Sequence, residues 1–428
     1  MGPRAYVENR TNPLSNILRR VGTSVPDLLR GAPPARRERD IWVLSSSTYR
    51  RPNGQGGYEC AFAEHLREQL GERLLFVERN HAALPRLHRD DLVFVDAALV
   101  AAEALGRTAG PVLAQTPLGS EARKPGSPAS ASLLCREAIY GRVLLEVARN
   151  WIRRATPRAV FVLNAYHLFI PFQLAAREAG IPVIELQHGI IHESHPGYIF
   201  DGTPALGHLP DHLVVFGRHF GELLDRESPR WRGRWSVGGH PWLKLKRRGV
   251  DNLPESSFDS VVIFSQPHAP VRERIRPLLP ELRAKLDPKI RLVLKPHPRE
   301  FDAADYYGEA LRGIELASVH DDSYELLRKC RLAVSMYSTV SFEALAFRCR
   351  SAVLRGSMWM DDFRALVDAG VLPVVDTAHD IARLAALPMP PRAPDDLTNR
   401  LFAVDEPAPD FERLIGSVTP SLRYKSSS

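Results

Sequence analysis

The stretch Leu292-Val293-Leu294-Lys295-Pro296-His297-Pro298-Arg299-Glu300 decides the fold prediction, because a short apolar run passes directly into a rigid polar turn. A continuous apolar run of this kind is typical of a strand covered on both faces of a parallel sheet. The two prolines fix φ on either side of His297 and preset the shape of the turn. A buried strand that ends in such a turn predicts one unit of an α/β fold.

The same alternation of apolar runs and helical segments continues on both sides of this stretch. Strands are predicted over 41–44, 74–77, 92–95, 159–163, 183–186, 213–216 and 235–237, and again over 261–264, 292–294, 314–316, 332–334, 352–354 and 373–375. Helices are predicted between them, including 58–70 and 132–154, and the Pro-, Gly- and Ser-rich residues 106–130 are predicted to form a loop. The fold class is therefore α/β, with two Rossmann-like, doubly wound domains that face each other across a cleft.

A length of 428 residues suits two such domains. We expect a flexible basic arm over 1–40, an N-terminal domain over 41–245, a C-terminal domain over 255–405 and a tail over 406–428. The polar region 242–258 is the preferred linker, because it lacks a core pattern.

Composition narrows the classes of protein. The net charge of +7 is spread along the chain without a nucleic-acid motif, so we predict no nucleic-acid partner. No run of about 18 apolar residues predicts a membrane helix, and no apolar segment resembles a secretory signal. Four widely spaced cysteines predict reduced thiols in a cytoplasmic protein. The basic arm leaves open a peripheral contact with the inner face of the membrane.

The first candidate site is the turn after strand 292–294. A cation, an imidazole and a guanidinium at one strand end suit a diphosphate or a sugar-nucleotide phosphate. We therefore expect Lys295, His297 and Pro298 to bind a donor. The alternative is a basic surface turn with no ligand.

The second candidate site follows strand 332–334, which we expect to end at Ser335. Ser338 or Thr339 would cap a helix whose second turn carries Glu343, and free backbone N–H groups at a helix start suit an anion. Glu343 is placed to accept hydrogen bonds from ribose hydroxyls. The alternative is an ordinary helix cap with an exposed glutamate.

Two further turns lie at predicted strand ends. Ser265-Gln266-Pro267-His268 follows the first strand of the second half, and Gln266 and His268 are candidates for contacts with the base or phosphate. Gly238-Gly239-His240-Pro241 resembles it just before the linker. A plain structural turn is the alternative for both.

The third candidate site is Ile181-Pro182-Val183-Ile184-Glu185-Leu186-Gln187-His188-Gly189, a strand that ends in a polar turn. His188 is our first candidate for a general base and Glu185 the second. Gln187 and Gly189 are expected at the cleft. The alternative is that His188 only hydrogen-bonds the turn. The histidines that follow lack metal-ligand spacing, so we predict no metal.

The loop after strand 41–44 is rich in glycine. Asn53, Gly54, Gly56 and Gly57 are expected to contact the acceptor or the donor diphosphate. The fragment does not match a dinucleotide fingerprint, because the third glycine is misplaced. A surface turn with no ligand is the alternative.

Together, the His-Pro turn and the Ser/Thr turn followed by Glu343-Ala344-Leu345 resemble the donor half of bacterial glycosyltransferases with the GT-B architecture, over about residues 160–360. The capsule and lipopolysaccharide transferases are the nearest set, including Kdo-transferase-like and sialyltransferase-like enzymes. CDP-glycerol glycerophosphotransferases have a similar pair of turns, and Gln187-His188-Gly189 resembles the same group. In the CMP-sugar enzymes the histidine and the Ser/Thr pair contact donor phosphate, which implies His297 and Ser338-Thr339 here.

The resemblance implies a metal-independent glycosyltransferase that needs no cofactor beyond its nucleotide-sugar co-substrate. A CMP-sugar is the favoured donor, with UDP- or CDP-linked donors as alternatives. The acceptor would be a surface glycan or a lipid-linked glycan held by the N-terminal domain. Two other functions stay open: a sugar-nucleotide 2-epimerase of the same fold, and a non-catalytic protein that binds nucleotide or glycan.

Overall fold

The structure is a computed structural model that describes residues 38–52, 58–79, 91–113, 115, 128–166, 168–200, 209–336, 338–356, 363–389 and 395–418. Most of the predicted arm over 1–40 lies outside the described residues. The glycine-loop candidates Asn53, Gly54, Gly56 and Gly57 also lie outside them.

Fifteen strands are described. They are β1 (Ile41–Ser46), β2 (Arg50–Pro52), β3 (Tyr58–Cys60), β4 (Leu74–Arg79), β5 (Leu92–Phe94), β6 (Ala159–Val162), β7 (Val183–Leu186), β8 (His212–Val215), β9 (Trp235–Val237), β10 (Ser260–Phe264), β11 (Arg291–Lys295), β12 (Glu315–Leu316), β13 (Cys330–Ser335), β14 (Arg350–Leu354) and β15 (Val374–Val375). Each strand predicted from the sequence is present.

The α-helices of the described residues lie between and after these strands. They are α1 (Glu64–Leu70), α2 (Asp96–Leu113), α3 (Pro128–Ala155), α4 (Ile170–Glu178), α5 (Arg218–Glu227), α6 (Pro241–Arg247), α7 (Ala269–Lys285), α8 (Ala303–Tyr307), α9 (Ser323–Leu327), α10 (Val340–Glu343), α11 (Arg364–Asp368), α12 (Ala378–Ala386), α13 (Asp395–Phe402) and α14 (Phe411–Ser417). No helix in these ranges is long and apolar enough to cross a membrane.

Two parallel sheets organise the chain, as the α/β prediction requires. The first has the order β5-β4-β1-β6-β7-β8-β9 and the second β12-β11-β10-β13-β14-β15. In each sheet the strand order reverses beside the first strand: β4 and β6 flank β1, and β11 and β13 flank β10. Ligands of open α/β sheets bind outside the carboxyl ends of strands at such switch points. The turns after β1, β6, β10 and β13 are therefore the places where a ligand is expected.

Two local predictions were wrong. Residues 58–60 form strand β3, paired with β2 in an antiparallel hairpin, and the helix begins only at Glu64. Residues 106–130 were predicted to be a loop, yet α2 runs to Leu113 and α3 begins at Pro128. Glycine is needed inside α2 because a Cβ on Gly106 or Gly110 would come within 3.0 Å of the backbone of Arg136 on α3. Here glycine permits close helix packing instead of marking a loop.

Two segments outside the sheets are packed against them. In the region 242–258, the side chains of Trp242, Leu243, Val250 and Phe258 are buried in a core cluster shared by both halves. In the predicted tail, Phe411 of α14 packs edge-on against Phe161 of β6. The C-terminal helix thus returns to the first sheet.

Candidate active site

Glu300 organises the turn after β11. Its Oε2 accepts from the backbone N–H of His297 at 2.7 Å, and its Oε1 accepts from the hydroxyl of Ser265 at 2.9 Å. Arg272 on α7 lies 3.3 Å from Oε1 and completes the shell of this buried carboxylate. Because Ser265 follows β10, Glu300 fixes the turn after β11 relative to the neighbouring strand. Sequence reasoning quoted Glu300 but gave it no role.

His297 is held in one tautomer. Its Nδ1 accepts from the backbone N–H of Arg299 at 3.1 Å, so the proton of the neutral ring lies on Nε2. Burial, together with the charges of Arg299 and Lys295, lowers the pKa of His297 to about 4. His268 and Arg51 act in the same direction. The ring is therefore neutral at physiological pH and can donate a hydrogen bond from Nε2.

Lys295 is turned inward at the end of β11. It is 3% exposed, and its Nζ donates to the carbonyl oxygens of Pro296 at 2.9 Å and Val319 at 3.3 Å. Burial lowers the pKa of Lys295 to about 8. Its ammonium group thus supports the turn from behind, while Pro298 lies on the exposed side.

The helix that follows the Ser/Thr turn after β13 is short. α10 is a single α-helical turn that continues as a 3-10 helix over Ala344–Phe347. The hydroxyl of Ser338 accepts weakly from the backbone N–H of Val340 at 3.4 Å, and Thr339 shows no side-chain cap. Ser335 is buried and hydrogen-bonds the hydroxyl of Ser341, which gives it a structural role.

The structure brings the two strand-end turns of the second half together. Gln266 and His268 follow β10 at one side of the switch point, and Ser338 and Thr339 follow β13 at the other. The charge of His268 acts on His297, so the turns after β10 and β11 are also close. These predicted residues therefore share one edge of the second sheet.

In the first half, Glu185 lies behind His188. Glu185 is fully buried, and its Oε1 accepts from the Tyr198 hydroxyl at 2.7 Å and from the Ala165 backbone N–H at 3.2 Å. Its Oε2 has no hydrogen-bond partner among the described residues. Burial raises the pKa of Glu185 to about 8, so the carboxyl is mostly protonated at pH 7.

The ring of His188 is 12% exposed, and its Nδ1 lies 3.9 Å from Oε1 of Glu185. Its Nε2 lies 3.4 Å from Nδ2 of Asn164 and 3.3 Å from the hydroxyl of Tyr166, in the turn after β6. Burial, with the nearby His195, lowers the pKa of His188 to about 3, which keeps the ring neutral. The ring of His188, which follows β7, thus faces the turns after β6 and β1 that form the switch point of the first sheet.

Gln187 and Gly189 shape this turn. The amide of Gln187 donates to the carbonyl of Gly189 at 2.7 Å and accepts from the backbone N–H of Phe216 at 2.7 Å. Gln187 therefore ties the turn after β7 to the turn after β8. A Cβ on Gly189 would meet no atom within 4 Å, so no neighbour in the structure requires glycine there.

Arg51, on the β2–β3 hairpin, is a cleft residue to which the sequence analysis assigned no role. Its neighbour Arg50 is buried, with Nε 2.9 Å from Oε2 of Glu78, and the hydroxyl of Ser45 donates to the same carboxylate at 2.6 Å. Since side chains alternate along a strand, anchoring Arg50 in the first sheet turns Arg51 to the other face of the hairpin. Nη1 of Arg51 donates to the carbonyls of Thr48 and Arg50.

The charge of Arg51 reaches groups in both halves. Burial raises the pKa of Tyr49 to about 12 and the charge of Arg51 opposes this rise; the ring of Tyr49 lies 5.6 Å from that of His188. The charge of Arg51 also acts on the pKa values of His297 and Glu343 in the second half. The signal in the sequence was the pair Arg50-Arg51 at a strand end, but only the hairpin shows which one faces the cleft.

Carboxylates near these cations already have partners. Asp321 accepts from the backbone N–H of Ser318 at 2.8 Å, and Asp322 pairs with Lys246 at 3.2 Å. Glu300 holds its own turn. The cleft face of the second sheet therefore presents positive and hydrogen-bond-donating groups. Within the described ranges no group of three His, Cys, Asp or Glu residues could hold a metal ion.

No family model matches the chain, and no curated protein matches it. Among solved structures, it is similar to the UDP-GlcNAc 2-epimerase of Methanocaldococcus jannaschii in complex with UDP-GlcNAc and UDP, with a TM-score of 0.51 and 13% identity over 83% of this chain and 95% of that one. A second structure of the enzyme from that organism gives a TM-score of 0.50 and 12% identity over 82% and 93%. The H548A variant of the wall teichoic acid polymerase TagF has a TM-score of 0.49 and 10% sequence identity over 94% of this chain and 97% of that one. The chain therefore has the GT-B type of fold, two Rossmann-like sheets in one chain, which confirms the predicted fold class.

Proposed function

We propose that the protein is a glycosyltransferase that takes a sugar from a nucleotide-activated donor and uses no metal. The single observation that carries the proposal is the turn after β11, where neutral His297 keeps its proton on Nε2 and the charges of His268 and Arg51 both act on its ring. A diphosphate or phosphodiester is the ligand that such donors and cations suit. Ser338 and Thr339 supply hydroxyls at the same edge.

In the proposed reaction, the donor phosphates lie between the turn after β11 and Arg51. Nε2 of His297 donates to a phosphate oxygen, and Arg51 balances the charge that grows on the leaving nucleotide. Lys295 adds positive charge from behind the turn instead of touching the phosphate. Glu343 accepts from the ribose. A CMP-sugar stays the favoured donor by resemblance, with UDP- and CDP-linked donors as alternatives.

The acceptor, a surface glycan or lipid-linked glycan, would bind at the first sheet. His188 is neutral, which is the form in which an imidazole accepts a proton from an attacking hydroxyl. Its low pKa makes it a weak base, and the fraction of Glu185 that is already ionised, which increases as pH rises through about 8, stabilises the imidazolium that forms. Glu185 itself is fully buried and protonated near pH 7, so we propose it as the partner of His188 rather than as the base.

Turnover can be measured as release of free nucleotide from CMP- and UDP-sugars in the presence of glycan acceptors. His297→Ala should lower kcat/KM by a factor of at least about 100, because it removes a donor aimed at the developing charge. Arg153→Gln, an exposed change on α3, serves as the control. Transfer by His297→Ala at the wild-type rate would refute the assignment.

Because the chain shares its fold with a UDP-GlcNAc 2-epimerase, a sugar-nucleotide 2-epimerase is the alternative enzyme function. An epimerase needs acid and base groups about the sugar ring, and His188 with Glu185 could supply them. Incubation with UDP-GlcNAc alone separates the two functions, because only an epimerase forms a new sugar nucleotide without an acceptor. A non-catalytic binding protein would bind a nucleotide tightly, show neither activity and tolerate changes at His188.

A further inference from the structure

A buried histidine joins the two halves at Gly238-Gly239-His240-Pro241, the turn after β9. His240 is 1% exposed, and its ring centre lies 4.5 Å from that of Phe216. Its Nδ1 accepts from the backbone N–H of Leu243 at 3.2 Å and so caps α6. Burial lowers the pKa of His240 to about 3. The ring is therefore neutral, with its proton on Nε2.

The Nε2 proton of His240 points towards the second half of the chain. Nε2 of His240 lies 3.2 Å from the hydroxyl of Tyr324, a buried residue of α9 in the second half, and therefore donates to it. Tyr324 also acts as a hydrogen-bond donor that lowers the pKa of the Glu343 carboxyl on α10, and Oε1 of Glu343 lies 4.0 Å from Nε2 of His240. His240, Tyr324 and Glu343 therefore link the start of α6 to a carboxylate at the candidate donor site.

Several charged and polar groups face Glu343 from the elements packed around it. The pKa of Glu343 is raised to about 7, because burial outweighs the opposing effects of hydrogen bonds from Thr339 and Tyr324 and of the charge of Arg51 on the β2–β3 hairpin. Asp322 at the start of α9 raises it, although Asp322 also pairs with Lys246.

The charges of Arg51 and of His65 on α1 both lower the pKa of His240. Glu343 thus changes charge near neutral pH, and the Tyr324 hydroxyl favours its ionised form.

We propose that His240 and Tyr324 are positioning residues that hold the Glu343 carboxylate ionised and oriented to bind the ribose diol of a nucleotide. The inference rests on the proposed function, in which Glu343 contacts the donor ribose. An ionised carboxylate offers acceptors for both ribose hydroxyls, whereas a protonated one loses an acceptor. The contacts from His240 through Tyr324 therefore connect Glu343, the residue proposed to bind the ribose in the second half, with a turn of the first half.

The test compares ribonucleotide with 2′-deoxyribonucleotide binding as a function of pH. CMP, UDP, CDP and GDP are titrated by calorimetry, and the tightest is measured from pH 5.5 to 8.5 beside its 2′-deoxy form. Both share the titration of their own phosphates, so their affinity ratio isolates the ribose contact. In the wild type this ratio should rise with pH through about 7, because Glu343 ionises there.

Two variants separate the positioning role from simple packing. Tyr324→Phe keeps the ring that stacks on Phe347 and removes only the hydroxyl. The pH at which the affinity ratio has risen halfway, its midpoint, should therefore move higher, and ribonucleotide binding should be about 3- to 10-fold weaker at pH 7. His240→Asn keeps an acceptor for the Leu243 N–H but removes the donor to Tyr324, and should move the midpoint the same way by less. Tyr140→Phe on α3 is the matched control.

The outcomes are distinct. If CMP, UDP, CDP and GDP all fail to bind the wild type, the donor site is wrong and the positioning role falls with it. If a nucleotide binds but both variants keep the wild-type midpoint while melting at the wild-type temperature, the positioning role alone is overturned. If a variant unfolds, the other variant decides the result, since one changes a hydroxyl only and the other preserves the helix cap.

Discussion

Glu185→Gln gives a sharp test of the electrostatics at the first switch point. Glu185 is fully buried, and burial raises its pKa from 4.5 to about 8. A raised pKa means that the folded protein binds a proton more tightly than the unfolded chain does. The contribution of Glu185 to the free energy of unfolding is therefore fully present below about pH 4.5 and is lost as pH rises through about 8. Over this interval of about 3.5 pH units, the loss is on the order of 5 kcal/mol at about 1.4 kcal/mol per unit.

The glutamine variant does not ionise, so its stability should lack this loss. The amide keeps an acceptor for Tyr198 and Ala165 but places an N–H₂ group where Oε2 has no partner, which costs about 1–3 kcal/mol at every pH. The variant should therefore have a lower free energy of unfolding than the wild type at pH 5, and this difference should shrink steadily towards pH 8.5. The result to look for is the change of the difference with pH, not its value at one pH.

The assay is urea denaturation at pH values from 5 to 9, followed by tryptophan fluorescence. Glu281→Gln, at an exposed position on α7, controls for the loss of one carboxylate. A constant difference between wild type and Glu185→Gln across this range would refute the reasoning, because it would mean that Glu185 ionises in the folded protein as easily as in the unfolded chain.

Three further changes test other parts of the structure. Arg51→Gln should weaken nucleoside diphosphate binding about 10-fold in calorimetry and reduce its dependence on salt, because a charged hydrogen-bond donor is lost. Unchanged affinity would remove Arg51 from the site. Gly239→Ala should lower the free energy of unfolding by about 1–2 kcal/mol, because φ is +77° there, whereas Gly189→Ala should change it little. Equal effects would contradict this. Glu300→Ala should cost about 3 kcal/mol in urea denaturation, because Arg272 loses a buried carboxylate, and a loss below about 1 kcal/mol would contradict its role in the turn.

Much of the fold could be predicted from the sequence because its strands are short, continuous apolar runs. β11 is buried on both faces, and the prolines beside His297 mark where it ends. The prediction failed where glycine had a packing role. Gly106 and Gly110 resemble loop residues in the sequence, but they lie inside α2 against Arg136, a contact that no local pattern contains.

The candidate site could be predicted only in part, for the same reason. The position of His297 follows from the strand and the turn that contain it. The direction of Arg51 depends instead on Glu78, which anchors its neighbour Arg50 from another strand. The link between His240 and Tyr324 joins residues 84 positions apart, and nothing local to either residue indicates the other. Long-range pairs of this kind become visible only when the sheets are assembled.

The central claim is that the turn around His297 binds the phosphates of a nucleotide-linked donor. Thermal denaturation of the protein with CMP, CDP, UDP and GDP tests it most directly. The matching nucleotide at about 100 times its Kd should stabilise the fold by about 2.7 kcal/mol and raise Tm by several degrees, and His297→Ala should lose most of that shift. If no nucleotide raises Tm at millimolar concentration, or if His297→Ala keeps the full shift, the claim is contradicted.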